Sequence, residues 1–168
     1  LREAVARRLG GQAMYLAARG YVSACIEYRL SGEAVFPAAI RDVKCAIRWM
    51  RAEGAKHYGV DSARIAVAGG SAGGHLALLA GASGGAEELE GDGGWAGYSS
   101  RVSCVAAFNP AVEFEGRVSE AAAACLGGSI DDVPENYRLA APSSWLDPDD
   151  PPMLLLHGIT WALATAVV

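Results

Sequence analysis

The sequence predicts an α/β fold built on a mostly parallel sheet with helices on both faces, and three observations predict it. Short apolar runs alternate with helical patterns along the chain. Each candidate strand is apolar at successive positions, as in a sheet covered on two sides. The composition suits a packed core, with 52% hydrophobic and 20% charged residues in 168. That length suits one domain, spanning 1–168, which can bury roughly 70% of the surface of the unfolded chain.

Residues 1–18 read as a helix interrupted at Gly10-Gly11, with Leu1, Val5, Leu9, Ala13 and Leu16 on one face and Gly20 ending it. Tyr21 to Tyr28 (YVSACIEY) is rich in β-formers and reads as a strand, followed by a turn at Ser31-Gly32. The next helix has the clearest pattern. Phe36, Ile40, Val43, Ile47 and Met50 recur at helical spacing, while Arg41, Lys44, Arg48 and Arg51 decorate the opposite face. Pro37 suits its first turn and Gly54 its end. Arg64 to Ala68 (RIAVA) reads as a short buried strand, Ala72 to Ala82 as a helix, and Gly81 to Gly97 as a Gly-rich loop. Val102 to Phe108 reads as another strand. The region 109–150 reads as mostly irregular, with a short helix near Ser119 to Leu126, and Met153 to Leu156 is a last strand led in by Pro151-Pro152.

Several functions are excluded at this level. The net charge is −5, from 14 Lys+Arg and 19 Asp+Glu, and no basic stripe or interleaved aromatic pattern favours nucleic acid. The longest stretch free of charge, Ile65 to Ala86, contains a purely apolar run of only Leu76 to Ala80, far short of the roughly 20 residues of a membrane span. Cys25, Cys45, Cys104 and Cys125 are widely spaced, with no metal-ligand spacing, and read as small buried hydrophobes. No cofactor or metal is implied.

The chemistry lies between the strand RIAVA and the following helix. Gly69-Gly70-Ser71-Ala72-Gly73-Gly74 contains G-x-S-x-G in its meaningful context of strand, sharp turn and helix. Such a turn holds the serine in a strained conformation and lifts its hydroxyl above the C-terminal edge of the sheet. Gly69 and Gly73 would keep the crowded turn small. The backbone N–H of Ala72, at the positive end of the helix, would face a developing oxyanion. The rival readings are a glycine turn that merely packs helix against strand and a phosphate-cradling loop. The second lacks both G-x-G-x-x-G and Gly-Lys-Ser/Thr.

The run IAVAGGSAGGHLALLA, with EYRLSGEAVFPAAIRDVKCAIRWMR before it, resembles the α/β-hydrolase esterases of the hormone-sensitive-lipase-like and bacterial feruloyl-esterase-like groups. ENYRLAAPSSWLDPDDPPMLLLHG and RVSCVAAFNPAV fit the same pattern, so the resemblance covers about residues 1–158. It implies hydrolysis of a small carboxylic ester through an acyl-enzyme on Ser71. Gly70 stands where lipase-like members carry Asp, which leans the match toward the feruloyl or acetyl esterase side. The family's His-Gly-Gly-Gly segment would fall just before Leu1. Its acid belongs to an His-Gly-x-x-Asp pattern, yet His157-Gly158-Ile159-Thr160 is followed by Trp161, and the tail WALATAVV does not resemble the family. The expectation is therefore a partial domain that lacks its base and acid. The alternative is an inactive fragment or non-catalytic binding module, and uncovered apolar edges would then promote self-association.

Among the histidines, His75 reads as structural, facing the sheet from the nucleophile helix; His157 could approach the site from a strand end; and His57 reads as a solvated helix cap. Asp147, Asp149 and Asp150 read as a solvated turn, with a surrogate triad acid as the sharper alternative. Glu27, Arg29 and Asp42 match a family block that ties the strand end to the following helix, and they read as structural.

Overall fold

A computed structural model of the chain describes residues 11–114 and 118–158. Its centre is a three-stranded parallel sheet in the order β1 (Ala66–Gly70), β2 (Cys104–Phe108), β3 (Met153–Leu156). Val67, Val105 and Met153 stand in one row across the strands, and Gly69, Ala107 and Leu155 in another on the same face. That face is covered at its centre, where Val105 and Ala107 are buried beneath the helix that follows β1, while Leu155 at the β3 edge is exposed.

In chain order the helices are α1 (Ala38–Trp49), α2 (Ala55–Tyr58), α3 (Ala72–Ala82), α4 (Glu87–Glu90), α5 (Glu120–Leu126) and α6 (Pro134–Ala140). Helix α3 is apolar all round because it is enclosed on both sides, by the sheet and by α1. Its approach to the sheet is very close. A methyl group at Gly81 would lie 2.5 Å from Val105 Cγ2 and 3.3 Å from Met153 Cε. Ile40, Val43 and Ile47 of α1 join the same core, as their spacing predicts. Among the described residues the alternate sheet face stays open, with Phe108, Leu154 and Leu156 exposed.

Several elements depart from expectation. Tyr21 to Tyr28 has no strand among the described residues. β-rich composition does not suffice without a ladder partner, and this stretch is instead held by side chains. Ile26 and Tyr28 lean on the core, and the Arg29 backbone N–H donates to Asp42 Oδ2 at 2.8 Å. Helix α1 does not stop at Gly54. It runs through a wider π-helical turn (Met50–Gly54) into α2 and ends at Gly59, whose φ of +70° terminates it. Gly54 stays helical and is small for a different reason, since a methyl there would press to 3.1 Å of Val60 Cγ2. Pro37 occupies the N-cap rather than the first turn.

The basic face of α1 is the largest correction. Lys44 and Arg48 are 0% and 3% exposed, buried under the 83–101 loop rather than solvated. Lys44 Nζ donates to the Ser83 carbonyl (2.6 Å) and Glu90 Oε1 (2.9 Å). Arg48 donates to Glu90 Oε2 (2.9 Å) and to the carbonyls of Glu90, Gly93 and Gly94. Arg41 donates to the Glu88 carbonyl, and Arg51 to those of Ser62, Ser99 and Arg101. The loop is therefore folded onto the helix by its own carbonyls, with α4 supplying the one carboxylate, Glu90, that answers two buried cations. Ser100 Oγ completes the cluster at 2.5 Å from Glu90 Oε1.

The region 109–150 holds more helix than its composition suggests. α5 falls where expected, capped by Ser119 Oγ accepting from the Ala122 N–H (3.2 Å). Helix α6, with Pro134 in its first turn, and a 3-10 turn at Pro142–Trp145 were not expected. The cysteines also differ: all four are free, but Cys25, Cys104 and Cys125 are exposed rather than buried. Cys104 lies on the open sheet face, which explains its exposure.

Candidate active site

Strand β1 ends at Gly70, and the chain enters α3 at Ala72, so a single residue makes the turn. Ser71 does so at φ +53° and ψ −120°, a conformation that costs a non-glycine residue on the order of 1–3 kcal/mol. Its backbone is fully engaged. The Ser71 N–H donates to the Phe108 carbonyl at the end of β2 (2.8 Å), and its carbonyl accepts from the His75 N–H one turn on (3.0 Å). The side chain is half-buried, and its hydroxyl has no hydrogen bond among the described residues. The turn is thus clamped from two sides while the hydroxyl stays free. Ala72 opens α3, so its N–H has no helical carbonyl to meet, and it lies at the positive end of the helix.

The glycines around the turn do not all act as expected. A methyl at Gly69 would overlap the Gly73 carbonyl and lie 2.9 Å from the Gly74 nitrogen, so only glycine fits. A methyl at Gly74 would lie 3.0 Å from the Phe108 carbonyl oxygen and 3.1 Å from that of Gly69. At Gly73 the added atom would meet open space. Close packing therefore demands small residues at 69 and 74, and Gly73 contributes its backbone rather than its lack of a side chain.

The histidines separate clearly. His75 is structural, but it faces α6 rather than the sheet. Its Nε2–H donates to the Ala140 carbonyl (2.7 Å), and its ring meets Phe114 edge-on at 5.2 Å. Burial pushes its pKa below the ordinary histidine value, against the smaller upward pull of the Ala140 bond. His157 follows β3 at the same sheet edge as Ser71. It is exposed, and its Nδ1–H donates to the Gly158 carbonyl (3.1 Å). Two strand spacings of about 4.8 Å each put it roughly 10 Å from the β1 line. His57 is exposed and pairs with Glu53 one turn earlier (3.1 Å), beside the helix end it was expected to cap.

Asp147, Asp149 and Asp150 close on themselves: the Asp149 N–H donates to Asp147 Oδ1 (2.7 Å) and the Asp147 N–H to Asp150 Oδ2 (3.1 Å). They precede β3, at the N-terminal edge of a parallel sheet, whereas Ser71 follows β1 at the C-terminal edge. The topology rules them out as partners of Ser71. Asp149 and Asp150 line instead a cavity of about 370 Å³ with Arg101, Ser103 and Gly81. The Arg29–Asp42 pair is bidentate, closest at 2.7 Å, and ties the segment before α1 to that helix. Glu27, the third residue of that block, is exposed and makes no such tie among the described residues.

Sequence reasoning missed Asn109. It leaves β2 at φ +48°, its N–H donates to the Leu156 carbonyl (2.7 Å), and its Oδ1 accepts from the Gly158 N–H (2.8 Å). It laces together the ends of β2 and β3 beside Ser71. The signal was an asparagine directly after a strand, a residue that tolerates left-handed backbone. Among the described residues, no group of three His, Cys, Asp or Glu could hold a metal ion, and no helix is long and apolar enough to cross a membrane. Trp161 and the tail WALATAVV lie outside the described residues.

Comparison with known proteins agrees with this architecture. The BD-FAE family profile matches residues 6–162. Esterase LipC of Mycobacterium tuberculosis is 35% identical over 151 residues, which cover 85% of this chain and 37% of LipC. Thermogutta terrifontis esterase 2 superposes with a TM-score of 0.71 at 32% identity, over 89% of this chain and 53% of that one, and it has also been solved phosphorylated by paraoxon. A bifunctional GH43-CE protein of Bacteroides eggerthii gives a TM-score of 0.73 at 36% identity, over 79% of this chain and 19% of that one. The chain thus spans between about a fifth and about a half of the length of these relatives. A parallel sheet, a strained serine between β1 and α3, and a profile match over nearly the whole sequence lead to one conclusion: the chain belongs to the BD-FAE family of α/β-hydrolase esterases.

Proposed function

We propose that the protein is a carboxylic-ester hydrolase in which Ser71 is the nucleophile. The observation that carries this reading is the Ser71 backbone, held at φ +53° by two main-chain hydrogen bonds while the hydroxyl remains unbonded among the described residues. Strain is retained at a turn when the geometry it gives is used. In the proposed reaction Ser71 Oγ attacks the ester carbonyl carbon and gives up its proton to a base. The carbonyl electrons move to oxygen, where the Ala72 N–H and the positive end of α3 stabilise them. Collapse expels the leaving group, which takes the proton from the base and departs as the alcohol, leaving the acyl group on Oγ for water to remove. His75 is committed to Ala140 and His157 is two strands away, so we assign base and acid to residues other than those described. The esterase relatives support the reaction class, and the phosphorylation of esterase 2 by paraoxon parallels the reactivity proposed for Ser71.

Hydrolysis of p-nitrophenyl acetate by the intact protein, with the base and acid that serve Ser71 in place, and by its Ser71→Ala variant tests the reading. A loss of about 10³-fold or more is expected, the scale seen when a nucleophile is removed from an assembled triad. Equal turnover in both would overturn the assignment of Ser71 and favour a non-catalytic binding module.

A further inference from the structure

We propose that His75 is a positioning residue that locks the segment following β2 onto the nucleophile helix, one turn from Ser71. The segment begins at the height of the serine, because Phe108 accepts the Ser71 N–H and Asn109 is laced to the end of β3. Five residues on, Phe114 returns to meet the His75 ring edge-on at 5.2 Å with an interplanar angle of 86°. Phe114 in turn meets Tyr137 at 6.4 Å, and the Tyr137 hydroxyl donates to the Gly128 carbonyl (3.0 Å). The far end of the same segment closes on the same imidazole, through the 2.7 Å bond from Nε2–H to the carbonyl of Ala140, a fully buried residue.

One side chain therefore holds both ends of the excursion between β2 and the turn before β3. It does so from a residue whose backbone N–H is bonded to the Ser71 carbonyl. Displacing the ring would release the segment beside the serine and loosen the turn that carries it. Leucine would keep apolar packing but leave the Ala140 carbonyl without its donor. Glutamine would keep an N–H donor at the end of a side chain of similar reach.

The consequence for Ser71 rests on the esterase reading, whereas the tether itself does not, so two readouts separate them. The first is amide hydrogen exchange over residues 109–114 and 118–140, referenced to β2 and β3. The second is the rate at which a fluorophosphonate probe labels Ser71. With His75→Leu, exchange in the segment should quicken and labelling should slow, each by about tenfold. His75→Gln, which keeps the donor to Ala140 and loses the ring contact to Phe114, should bring exchange over 118–140 back to within about threefold of wild type. Phe114→Leu, which removes the ring contact and keeps the hydrogen bond, reports the same tether if His75→Leu does not fold. Unchanged exchange, unchanged labelling with faster exchange, or no recovery with His75→Gln would each overturn the proposal. Faster exchange in a protein whose wild type takes up no probe would refute the esterase reading and leave the tether standing.

Discussion

Replacing Glu90 by glutamine should cost about 3 kcal/mol of folding stability, because it strands two buried cations with a near-isosteric change. Lys44 is fully buried with two acceptors among the described residues, the Ser83 carbonyl and Glu90, while Arg48 keeps three carbonyls if Glu90 is neutralised. Breaking a buried pair by removing one charge costs about 3–5 kcal/mol. The lower end applies here, since the Glu90 side chain is a quarter exposed and glutamine can still accept a hydrogen bond. At about 2–4 °C per kcal/mol for a chain of this size, the melting temperature should fall by roughly 6–12 °C. Adding Lys44→Met removes the stranded ammonium and should restore about 1–2 kcal/mol, less than the full loss because the Ser83 carbonyl then lacks its donor. Denaturant unfolding of wild type, single and double variants measures this. A Glu90→Gln variant within about 0.5 kcal/mol of wild type, or a double variant less stable than the single, would refute the reasoning.

Two further predictions concern the glycines of the serine turn and the pH dependence of the Glu90 cluster. Gly69→Ala should destabilise by about 3 kcal/mol or more, since the added methyl overlaps backbone; Gly73→Ala should be neutral or stabilising by up to about 1 kcal/mol, since it meets open space within a helix. Thermal melts of the pair check this, and the reverse order would contradict the packing described. The second concerns pH. Burial pushes Glu90 upward, but hydrogen bonds from Ser100 and Lys44 and the charges of Lys44 and Arg48 outweigh it and hold the carboxyl below its ordinary 4.5. A depressed carboxylate contributes stability above its unfolded value and loses it as pH falls through the folded one. The stability difference between wild type and Glu90→Gln should thus be constant above about pH 5 and shrink on further acidification. A gap that persists to about pH 2 would contradict this origin.

Periodicity and local turn chemistry carry a long way in this chain. The stripe from Phe36 to Met50 places α1 on the core, the four apolar residues of β3 coincide with its observed bounds, and the glycine-flanked Ser71 marks the strained turn. What stays hidden depends on contacts remote in sequence. Lys44 and Arg48 look like a solvated face because their partners lie about 40 residues on, in a glycine-rich loop whose carbonyls fold down over them. Tyr21 to Tyr28 has strand composition but no ladder partner among the described residues. Helix α6 is seven residues long, too short for a periodic stripe. The orientation of His75 is set by Phe114 and Ala140, which no local pattern connects to it.

The central claim is that the Ser71 hydroxyl is a nucleophile. Incubation with a fluorophosphonate probe, followed by peptide mass spectrometry, tests it most directly, with Ser71→Ala as the control. An adduct on the peptide containing Ser71, absent from the Ser71→Ala protein, is the predicted result. A folded, intact wild-type protein, with its base and acid in place, that carries no adduct at Ser71, or an adduct that persists in Ser71→Ala, would contradict it.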